Sequence, residues 1–325
     1  MRYLEKISIV LIFVGLFIST SSIAAKKLDL SGYADDTGAI SILHNGNTVD
    51  PYFVLQALLL AHENGLDISS YNEKWAAWLI ARQKLDGTFD RYCRNGPVWA
   101  PCKTADADDA LLAMWLQFLD TMPLQKKKNP VWIKSYQNSE AALNKLIDPL
   151  KNIYLVSPIF QQGLFMDNLE VWSYKNRRSI AFKQEANRLK QSIHQVFWDS
   201  KAKRFLVSTQ PEQKLVTPLF YPDHIAQIFP LLVNYPLLPK PASSYYKEWM
   251  GKYRALWLKQ VKGDFAWGLI AVLAVQQNDS DSARCWLRET ASFRHSSHWT
   301  VTDEVAYQVL AKKGLKSADI NLLCN

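Results

Sequence analysis

The chain has 325 residues with a formal net charge of +8, and 48% of its residues are hydrophobic, including 12 Trp, 14 Tyr and 14 Phe. This composition provides a sizeable core for one large domain or two small ones. The positive charge suits anionic partners such as an acidic glycan or a membrane surface. However, the basic residues form no concentrated stripe, which argues against nucleic acid as a partner.

Residues 1–25 have the order of regions that defines a secretory signal peptide. Arg2 and Lys6 precede a largely apolar stretch at 7–18, and mostly small and polar residues follow at 19–25. The apolar stretch is shorter than the roughly 20 residues of a membrane-spanning helix. We therefore expect cleavage, a periplasmic or secreted protein and no stable membrane span afterwards; an uncleaved anchor is the alternative.

Residues 26–49 are predicted to form an irregular N-terminal arm, because Gly32, Gly38 and Gly46 interrupt any regular pattern. From residue 50 onwards the hydrophobic pattern is helical, and the prediction for 50–325 is a single catalytic-type domain. Mostly apolar segments alternate with amphipathic or charged ones. The apolar segments begin near aspartates that can cap a helix, namely Asp50, Asp106, Asp167, Asp223, Asp264 and Asp303.

Six buried helices that alternate with more polar ones predict an all-α fold, the (α/α)6 toroid, in which an inner ring of helices is surrounded by an outer ring. An open solenoid of helical hairpins is the competing architecture. Short β-hairpins are expected only in the loops, near 87–92 and 204–209. Because paired helices are antiparallel, all inner helices should begin at one end of the ring. The long loops 84–105, 151–165 and 198–222 emerge there, so we expect the functional site at that end.

The first candidate site follows the loop 84–105. Asp106 and Asp108 precede an unbroken apolar run at 110–116. Cleavage of a glycosidic bond requires two carboxyl groups across a pocket, and a ring of acid-capped helices can supply them. Asp50 is a third candidate for this role. Helix capping alone explains all three residues equally well.

A second candidate lies in 164–174. Asp167 and Glu170 are three residues apart and therefore share one helical face, although this spacing also resembles a capping box. Asn168 and Trp172 are of types that contact sugars, through amide hydrogen bonds and ring stacking. Trp172 could equally belong to the core.

Further predicted substrate-binding residues lie in the other long loops. Tyr221, Asp223 and His224 precede an apolar segment, where His224 could transfer a proton or simply form a structural hydrogen bond. In the loop 84–105 the candidates are Asp90, Arg91 and Trp99. Arg91 could bind an acidic sugar or pair with the neighbouring acids.

The four cysteines suggest two disulfides, since an exported protein enters an oxidising compartment. Cys93 and Cys102 bracket an irregular loop, and Cys285 with Cys324 would hold the C-terminal tail. Free buried thiols are the alternative. The spacing fits no zinc site, and we expect neither a metal nor an organic cofactor.

Several short runs resemble the six-hairpin glycosidase superfamily. The run 104–108, Thr-Ala-Asp-Ala-Asp, is similar to the core of the family 8 glycoside hydrolase signature, whose acids lie in the active site. The match is partial, since the first two positions differ in kind and Leu112 stands where the signature has an alanine. The run 197–199 followed by Arg204 and Phe205 resembles the turn after an outer helix in glucoamylase-like members. The run 167–171 looks like an inner-helix start. The architectural resemblance covers about 50–312 and implies the toroid.

The resulting expectation is an exported glycoside hydrolase that acts on an extracellular or envelope polysaccharide, which could be acidic. Asp106 or Asp108 would act as the base, and Glu170 or Asp50 would protonate the leaving oxygen. A polysaccharide lyase that uses Tyr221, His224, Asn168 and Arg91 is an alternative on the same fold. A non-catalytic glycan-binding component of an export system is a third possibility.

Overall fold

The computed structural model describes residues 26–179, 182–214, 217–318 and 322–324, so the predicted signal peptide at 1–25 lies outside the described residues. Within these ranges the chain forms twelve α-helices. They are α1 (Pro51–Glu63), α2 (Ser69–Ile80), α3 (Asp108–Asp120), α4 (Leu124–Lys127), α5 (Pro130–Asn144), α6 (Phe165–Arg177), α7 (Lys183–Phe197), α8 (Ile225–Leu232), α9 (Ala242–Lys259), α10 (Gly268–Gln276), α11 (Ser280–Thr290) and α12 (Val301–Lys312).

Six of these helices form a closed inner ring. Helices α1, α3, α6, α8, α10 and α12 pack against one another in that order, and α12 returns to pack against α1. Outside the ring, α5, α7, α9 and α11 pack on α3, α6, α8 and α10 respectively, and α2 packs on α5. The predicted all-α toroid is therefore confirmed, and closure through α12 excludes the open solenoid.

The hydrophobic pattern of each helix explains its layer. In α3 every residue from Asp109 to Leu116 is buried, and in α10 the residues 270–274 are buried, as expected for helices surrounded by protein. The outer helix α7 instead buries one face, formed by Ala186, Leu189, Ile193 and Phe197. This spacing of three to four residues is that of an amphipathic surface helix.

Residues 26–49 form an irregular segment that packs between α12 and α2. The Asp29 N–H donates to Gln308 Oε1 of α12 (2.9 Å), and the Leu30 N–H donates to the Tyr71 hydroxyl of α2 (2.9 Å). Leu28 and Leu30 are buried. Among the described residues no outer helix follows α12, and this N-terminal segment lies in the corresponding part of the outer layer.

Five short strands lie in loops of the toroid: β1 (Thr48–Val49), β2 (Asp90–Asn95), β3 (Val98–Thr104), β4 (Trp198–Asp199) and β5 (Arg204–Phe205). The first three form an antiparallel sheet in the order β1-β2-β3, in which Thr48 pairs with Cys93, and β4 pairs with β5. Because β1 ends just before α1, this sheet lies at the end of the ring where the inner helices begin. The expected hairpins are therefore present.

Both predicted disulfides are present. Cys93 and Cys102 link β2 to β3, and Cys285 links α11 to Cys324 in the C-terminal tail. Among the described helices, none combines the length and the apolar character that a membrane span requires.

Candidate active site

A cavity of about 580 Å³ opens at the end of the ring where the inner helices begin. Every inner helix, or the residues just before it, contributes to its wall. The charged, tyrosine and tryptophan residues in the wall are Asp50, Tyr52, Arg91, Asp106, Asp167, Tyr221, Asp264, Trp267 and Asp303. The structure thus brings five predicted site residues together in one cavity: Asp50, Arg91, Asp106, Asp167 and Tyr221.

Carboxyl groups enter this cavity from opposite sides. Asp106 lies two residues before α3, whose N-cap is Ala107 rather than Asp106. Asp264 lies in the loop before α10, and α3 and α10 hold opposite positions in the ring of six. The Asp106 side chain is 87% exposed. The Asp264 carboxylate has no hydrogen-bond or ion-pair partner in the described part of the chain. The sequence predicts Asp264 only as the start of an apolar helix, not as a site residue.

Arg91 on β2 connects two of these acids. Its Nε–H donates to Asp50 Oδ2 (2.6 Å), and its Nη2 lies 3.4 Å from Asp106 Oδ2. Asp50 also caps α1, since its Oδ1 accepts from the Tyr52 N–H (3.0 Å). Burial raises the pKa of Asp50, although the Arg91 guanidinium opposes this shift. Asp50 is therefore both a helix cap and a cavity acid.

Three further acids are buried on the inner faces of α3 and α6. Asp109, Asp167 and Glu170 are 0%, 8% and 8% exposed. Burial raises the pKa of all three carboxyl groups. Repulsion from a neighbouring carboxylate raises each pKa further: Asp167 repels Asp109 and Glu170, and Asp106 repels Asp167. An acid with a raised pKa retains its proton at higher pH, so this group can hold protons next to the cavity.

Asp303 closes the wall on the side of α12. It forms a capping box with Thr300, and its Oδ1 accepts from the Gly268 N–H at the start of α10 (2.8 Å). Burial nevertheless raises the pKa of Asp303 to about 6. These hydrogen bonds fix the starts of α10 and α12 relative to each other. Sequence patterns identified Asp303 as a helix start but gave no sign of the contact with Gly268.

Two acids that the sequence predicts as catalytic lie outside the cavity wall. Asp108 is half-buried beside Asp86, Asp90 and Lys84, where burial raises its pKa to about 6. Glu170 lies one helical turn below Asp167 and contributes to a separate, smaller cavity along the ring axis. Its Oε1 accepts a hydrogen bond from the Tyr52 hydroxyl (2.9 Å).

The candidates Asn168 and Trp172 on α6 have structural contacts. The Asn168 side chain is buried and bonds to the backbone of Tyr154, with its Oδ1 accepting at 2.7 Å and its Nδ2 donating at 2.9 Å. Trp172 packs edge-on against Tyr235 in the core, with ring centroids 5.2 Å apart. Neither side chain is part of the cavity wall.

Four other predicted binding residues also lie away from the cavity. Asp223 accepts from the Leu219 N–H (3.0 Å), and His224 stacks on Tyr253 of α9 with centroids 4.0 Å apart. Asp90 pairs with Lys84 (3.0 Å). The Trp99 Nε1–H donates to Asp35 Oδ2 of the N-terminal segment (2.8 Å).

The wall also contains an aromatic pair. The rings of Tyr221 and Trp267 lie 5.3 Å apart with an angle of 32° between their planes. Trp267 carries no sequence signal that would mark it as a site residue. As for metals, no group of three or more His, Cys, Asp or Glu side chains in the described ranges is arranged to hold an ion.

No protein-family model and no curated protein sequence matches this chain. Solved structures do match. A novel alpha-amylase from Clostridium perfringens has a TM-score of 0.56 at 9% identity, over 88% of this chain and 95% of the amylase. A reducing end xylose-releasing exo-oligoxylanase has a TM-score of 0.51 at 13% identity, over 87% of this chain and 86% of the other.

A rhamnosidase from Klebsiella oxytoca, solved with rhamnose bound, has a TM-score of 0.51 at 10% identity, over 82% of this chain and 58% of the rhamnosidase. At such low identities the similarities establish the fold, the six-hairpin toroid of these glycosidases. Fold alone does not determine reaction or substrate.

Proposed function

We propose that the protein is an exported glycoside hydrolase that cleaves an oligo- or polysaccharide in the cavity at the end of the ring. The observation that carries this proposal is the placement of carboxyl groups on opposite sides of one cavity, with Asp264 on one side and Asp50, Asp106 and Asp167 on the other. Glycosidic bond hydrolysis requires a proton donor and a basic or nucleophilic carboxylate on opposite sides of the scissile bond.

Asp264 is the proposed base. It is partly exposed to the cavity, and no partner among the described residues occupies its carboxylate, so it is free to accept a proton from an attacking water. Asp106 is the exposed acid opposite, and with Arg91 at 3.4 Å it is placed to hold substrate hydroxyl groups through charge-assisted hydrogen bonds. Asp108, predicted as an alternative base, is not part of this proposal because it faces Asp86 and Asp90.

The proposed proton donor is Asp50 or Asp167. Burial raises the pKa of both, which keeps a carboxyl group protonated at the pH where it must donate. Both lie in the wall on the side of the ring away from Asp264. Glu170, the other donor predicted from the sequence, lies below the cavity wall and is proposed to support Tyr52 instead.

The charge of the cavity favours a neutral or amino sugar over a uronic acid. Five aspartates line it, and Arg91 is the one lysine or arginine in the described wall; it is already paired with Asp50 and Asp106. A lyase must neutralise a uronate carboxylate, for which this wall offers no unpaired cation. Hydrolysis is therefore the better-supported reaction.

Export is proposed on two grounds. Residues 1–25 have the sequence of a signal peptide, and two disulfides persist where the compartment is oxidising. Both support a periplasmic or secreted location.

The test is an incubation of the purified protein with a panel of neutral, amino-sugar and uronate polysaccharides, followed by measurement of new reducing ends. We expect Asp264→Asn to lower turnover by roughly 10²–10⁴-fold, the usual contribution of a general base. Asp108→Asn is the matched control and should retain turnover, since it changes an acid that lies at the same end of the ring but outside the cavity. Unchanged turnover in Asp264→Asn would reject the assigned base.

A second measurement identifies the donor. A 2,4-dinitrophenyl glycoside of the sugar that the protein releases needs little protonation of its leaving group. The variant of the true donor, Asp50→Asn or Asp167→Asn, should therefore lose activity on the polysaccharide but retain it on the aryl glycoside. A product with ultraviolet absorbance from a new C=C bond would indicate a lyase, and binding without cleavage would indicate a non-catalytic glycan-binding protein.

A further inference from the structure

Trp267 has a backbone conformation that is unfavourable for its residue type. Its φ and ψ are 54° and 50°, in the left-handed region, at the residue immediately before α10. Residues other than glycine, and bulky ones especially, rarely adopt this backbone conformation, because their Cβ atom approaches the following carbonyl oxygen. A strained residue persists only where the surrounding structure imposes the conformation.

Hydrogen bonds on both sides of Trp267 impose it. The carbonyl oxygen of Ala266 accepts from the Trp286 indole N–H (2.7 Å), and that of Trp267 accepts from the Trp257 indole N–H (3.3 Å). The next residue, Gly268, donates its N–H to Asp303 Oδ1 (2.8 Å). The segment is thus fixed by buried side chains from three different elements.

Close packing allows little adjustment at this point. A Cβ atom at Gly268 would lie 2.6 Å from the Cβ of Ala306 on α12, so the start of α10 cannot move toward α12. The strain at Trp267 therefore cannot relax by a small shift of the helix.

The result is an aromatic wall in the cavity beside the proposed base. The Trp267 indole lines the cavity, and its ring lies 5.3 Å from that of Tyr221, which is 50% exposed. Asp264 lies three residues before Trp267 on the same loop. The Trp267 Nε1–H is buried and has no hydrogen-bond partner among the described residues, so the indole is not held there by its polar atom.

We propose that Trp267 is a specificity-determining residue, which together with Tyr221 binds one pyranose ring of the substrate by stacking against its C–H face next to Asp264. This inference rests on the proposed glycosidase function. Aromatic rings combine a large apolar surface with few rotatable bonds, so a sugar ring can pack on them at little entropic cost. Strain concentrated at a ligand-binding wall is a known pattern of functional sites.

The experiment compares Trp267→Phe, Trp267→Ala and Trp267→Gly. Dissociation constants for cellohexaose, xylohexaose, maltohexaose and chitosan hexamer are measured by calorimetry in an Asp264→Asn background, which prevents consumption of the sugar. KM and kcat are measured in the otherwise unchanged chain. Trp198→Ala is the matched control, because Trp198 packs on Phe205 (centroids 4.9 Å) away from the cavity.

For the oligosaccharide that binds best, we expect Trp267→Ala and Trp267→Gly to weaken binding about tenfold or more, with a larger effect on KM than on kcat. Trp267→Phe should remain within about threefold, because it retains a ring for stacking. Trp267→Gly should unfold roughly 2–3 °C above Trp267→Ala, since both lose the indole but only alanine keeps the backbone strain. Trp198→Ala should bind normally.

The proposal is overturned if the parent chain binds an oligosaccharide and Trp267→Ala binds it within twofold of the parent. A loss of binding in Trp198→Ala as large as in Trp267→Ala would also overturn it, because the effect would then reflect general destabilisation. Failure of the parent chain to bind or cleave any of the four sugars would instead reject the proposed function, and this inference with it.

Discussion

The hydroxyl group of Tyr52 donates a hydrogen bond of 2.9 Å to Glu170 Oε1 and thereby joins the cavity wall to an acid that lies beneath it. Tyr52 lines the cavity, whereas Glu170 does not. The other oxygen, Glu170 Oε2, is buried without a hydrogen-bond partner in the described residues. Glu170 is therefore placed to hold Tyr52 in position rather than to touch a substrate.

This relationship predicts the effect of Glu170→Gln. The glutamine oxygen can still accept the Tyr52 hydroxyl, so we expect turnover to remain above about a tenth of the parent value, far above that of Asp264→Asn. Tyr52→Phe leaves the buried Glu170 without its donor and should lower the free energy of unfolding by about 1–2 kcal/mol. Turnover and urea denaturation check these expectations. If Glu170→Gln lost as much turnover as Asp264→Asn, Glu170 would be the catalytic acid.

Arg91→Gln tests the contact between Arg91 and Asp50. It removes the cation that lowers the pKa of Asp50, so that pKa should rise further. At pH 7 the free energy of unfolding should fall by roughly 2–3 kcal/mol, because one partner of a mostly buried pair is lost. The loss should be smaller at pH 5, where more of Asp50 is protonated and needs no partner.

Arg94→Gln is the matched control for this prediction. Arg94 lies on the same strand and pairs with Asp35, but its side chain is more exposed, 38% against 24% for Arg91. Exposed pairs stabilise proteins little. If urea denaturation gave the same loss of unfolding free energy for both variants, the burial of Asp50 would not be what makes the Arg91 pair stabilising.

The sequence predicts the ring well because capping and periodicity are local properties. An aspartate before an apolar run marks the approximate start of a helix, and so the sequence places Asp50, Asp106 and Asp167 near helix starts, from which they reach the cavity. Of these three only Asp50 caps its helix, whereas Ala107 and Leu164 hold the N-cap positions of α3 and α6. The same logic cannot decide between Asp106 and Asp108. Two residues at a helix start point in different directions, and only the position of the ring axis determines which of them faces inward.

Other parts of the site depend on contacts between distant segments. Asp264 precedes α10 by four residues and does not cap it, so its approach to the cavity follows from the path of the loop. Trp267 is left-handed because Trp257, Trp286 and Asp303 fix the neighbouring backbone, and no local pattern indicates such a conformation for tryptophan. Asn168 resembled a sugar ligand in sequence, yet it binds the Tyr154 backbone.

The raised pKa of Asp109 predicts how stability depends on pH. Asp109 is fully buried, and burial together with Asp167 raises its pKa well above the usual value. The folded state then binds a proton more tightly than the unfolded state, so Asp109 stabilises the fold fully below the unfolded pKa of about 4. This stabilisation is lost as pH rises through the raised pKa.

Asp109→Asn should remove that dependence. The variant is neutral at every pH, so its unfolding free energy should fall less between pH 5 and pH 8, by up to about 1.4 kcal/mol per pH unit. Urea denaturation across this range measures the slope. Asp67→Asn is the control, because hydrogen bonds from Ser69 lower the pKa of Asp67, so that its contribution is lost only at low pH and the variant should keep the parent slope between pH 5 and pH 8. Parallel curves for parent and Asp109→Asn would contradict the raised pKa.

The two disulfides should have separate effects on stability and on activity. Cys93 and Cys102 are 9 residues apart, and Cys285 and Cys324 are 39 apart. Because a longer closed loop restricts the unfolded chain more, replacing both cysteines by serine should cost roughly 2–3 kcal/mol for the first pair and about 4 kcal/mol for the second. The first pair, however, fixes the hairpin that carries Arg91, which contacts Asp50 and Asp106.

Cys93→Ser with Cys102→Ser should therefore raise KM severalfold while the chain remains folded, since Arg91 would lose its fixed position in the cavity wall. Cys285→Ser with Cys324→Ser should reduce stability more, yet leave KM and kcat near their parent values at temperatures where the variant is folded. Thermal unfolding and steady-state kinetics on the same preparations separate these outcomes. If KM instead rose in each variant in proportion to its loss of stability, the position of Arg91 would not depend on the Cys93–Cys102 disulfide, and the hairpin would have only a structural role.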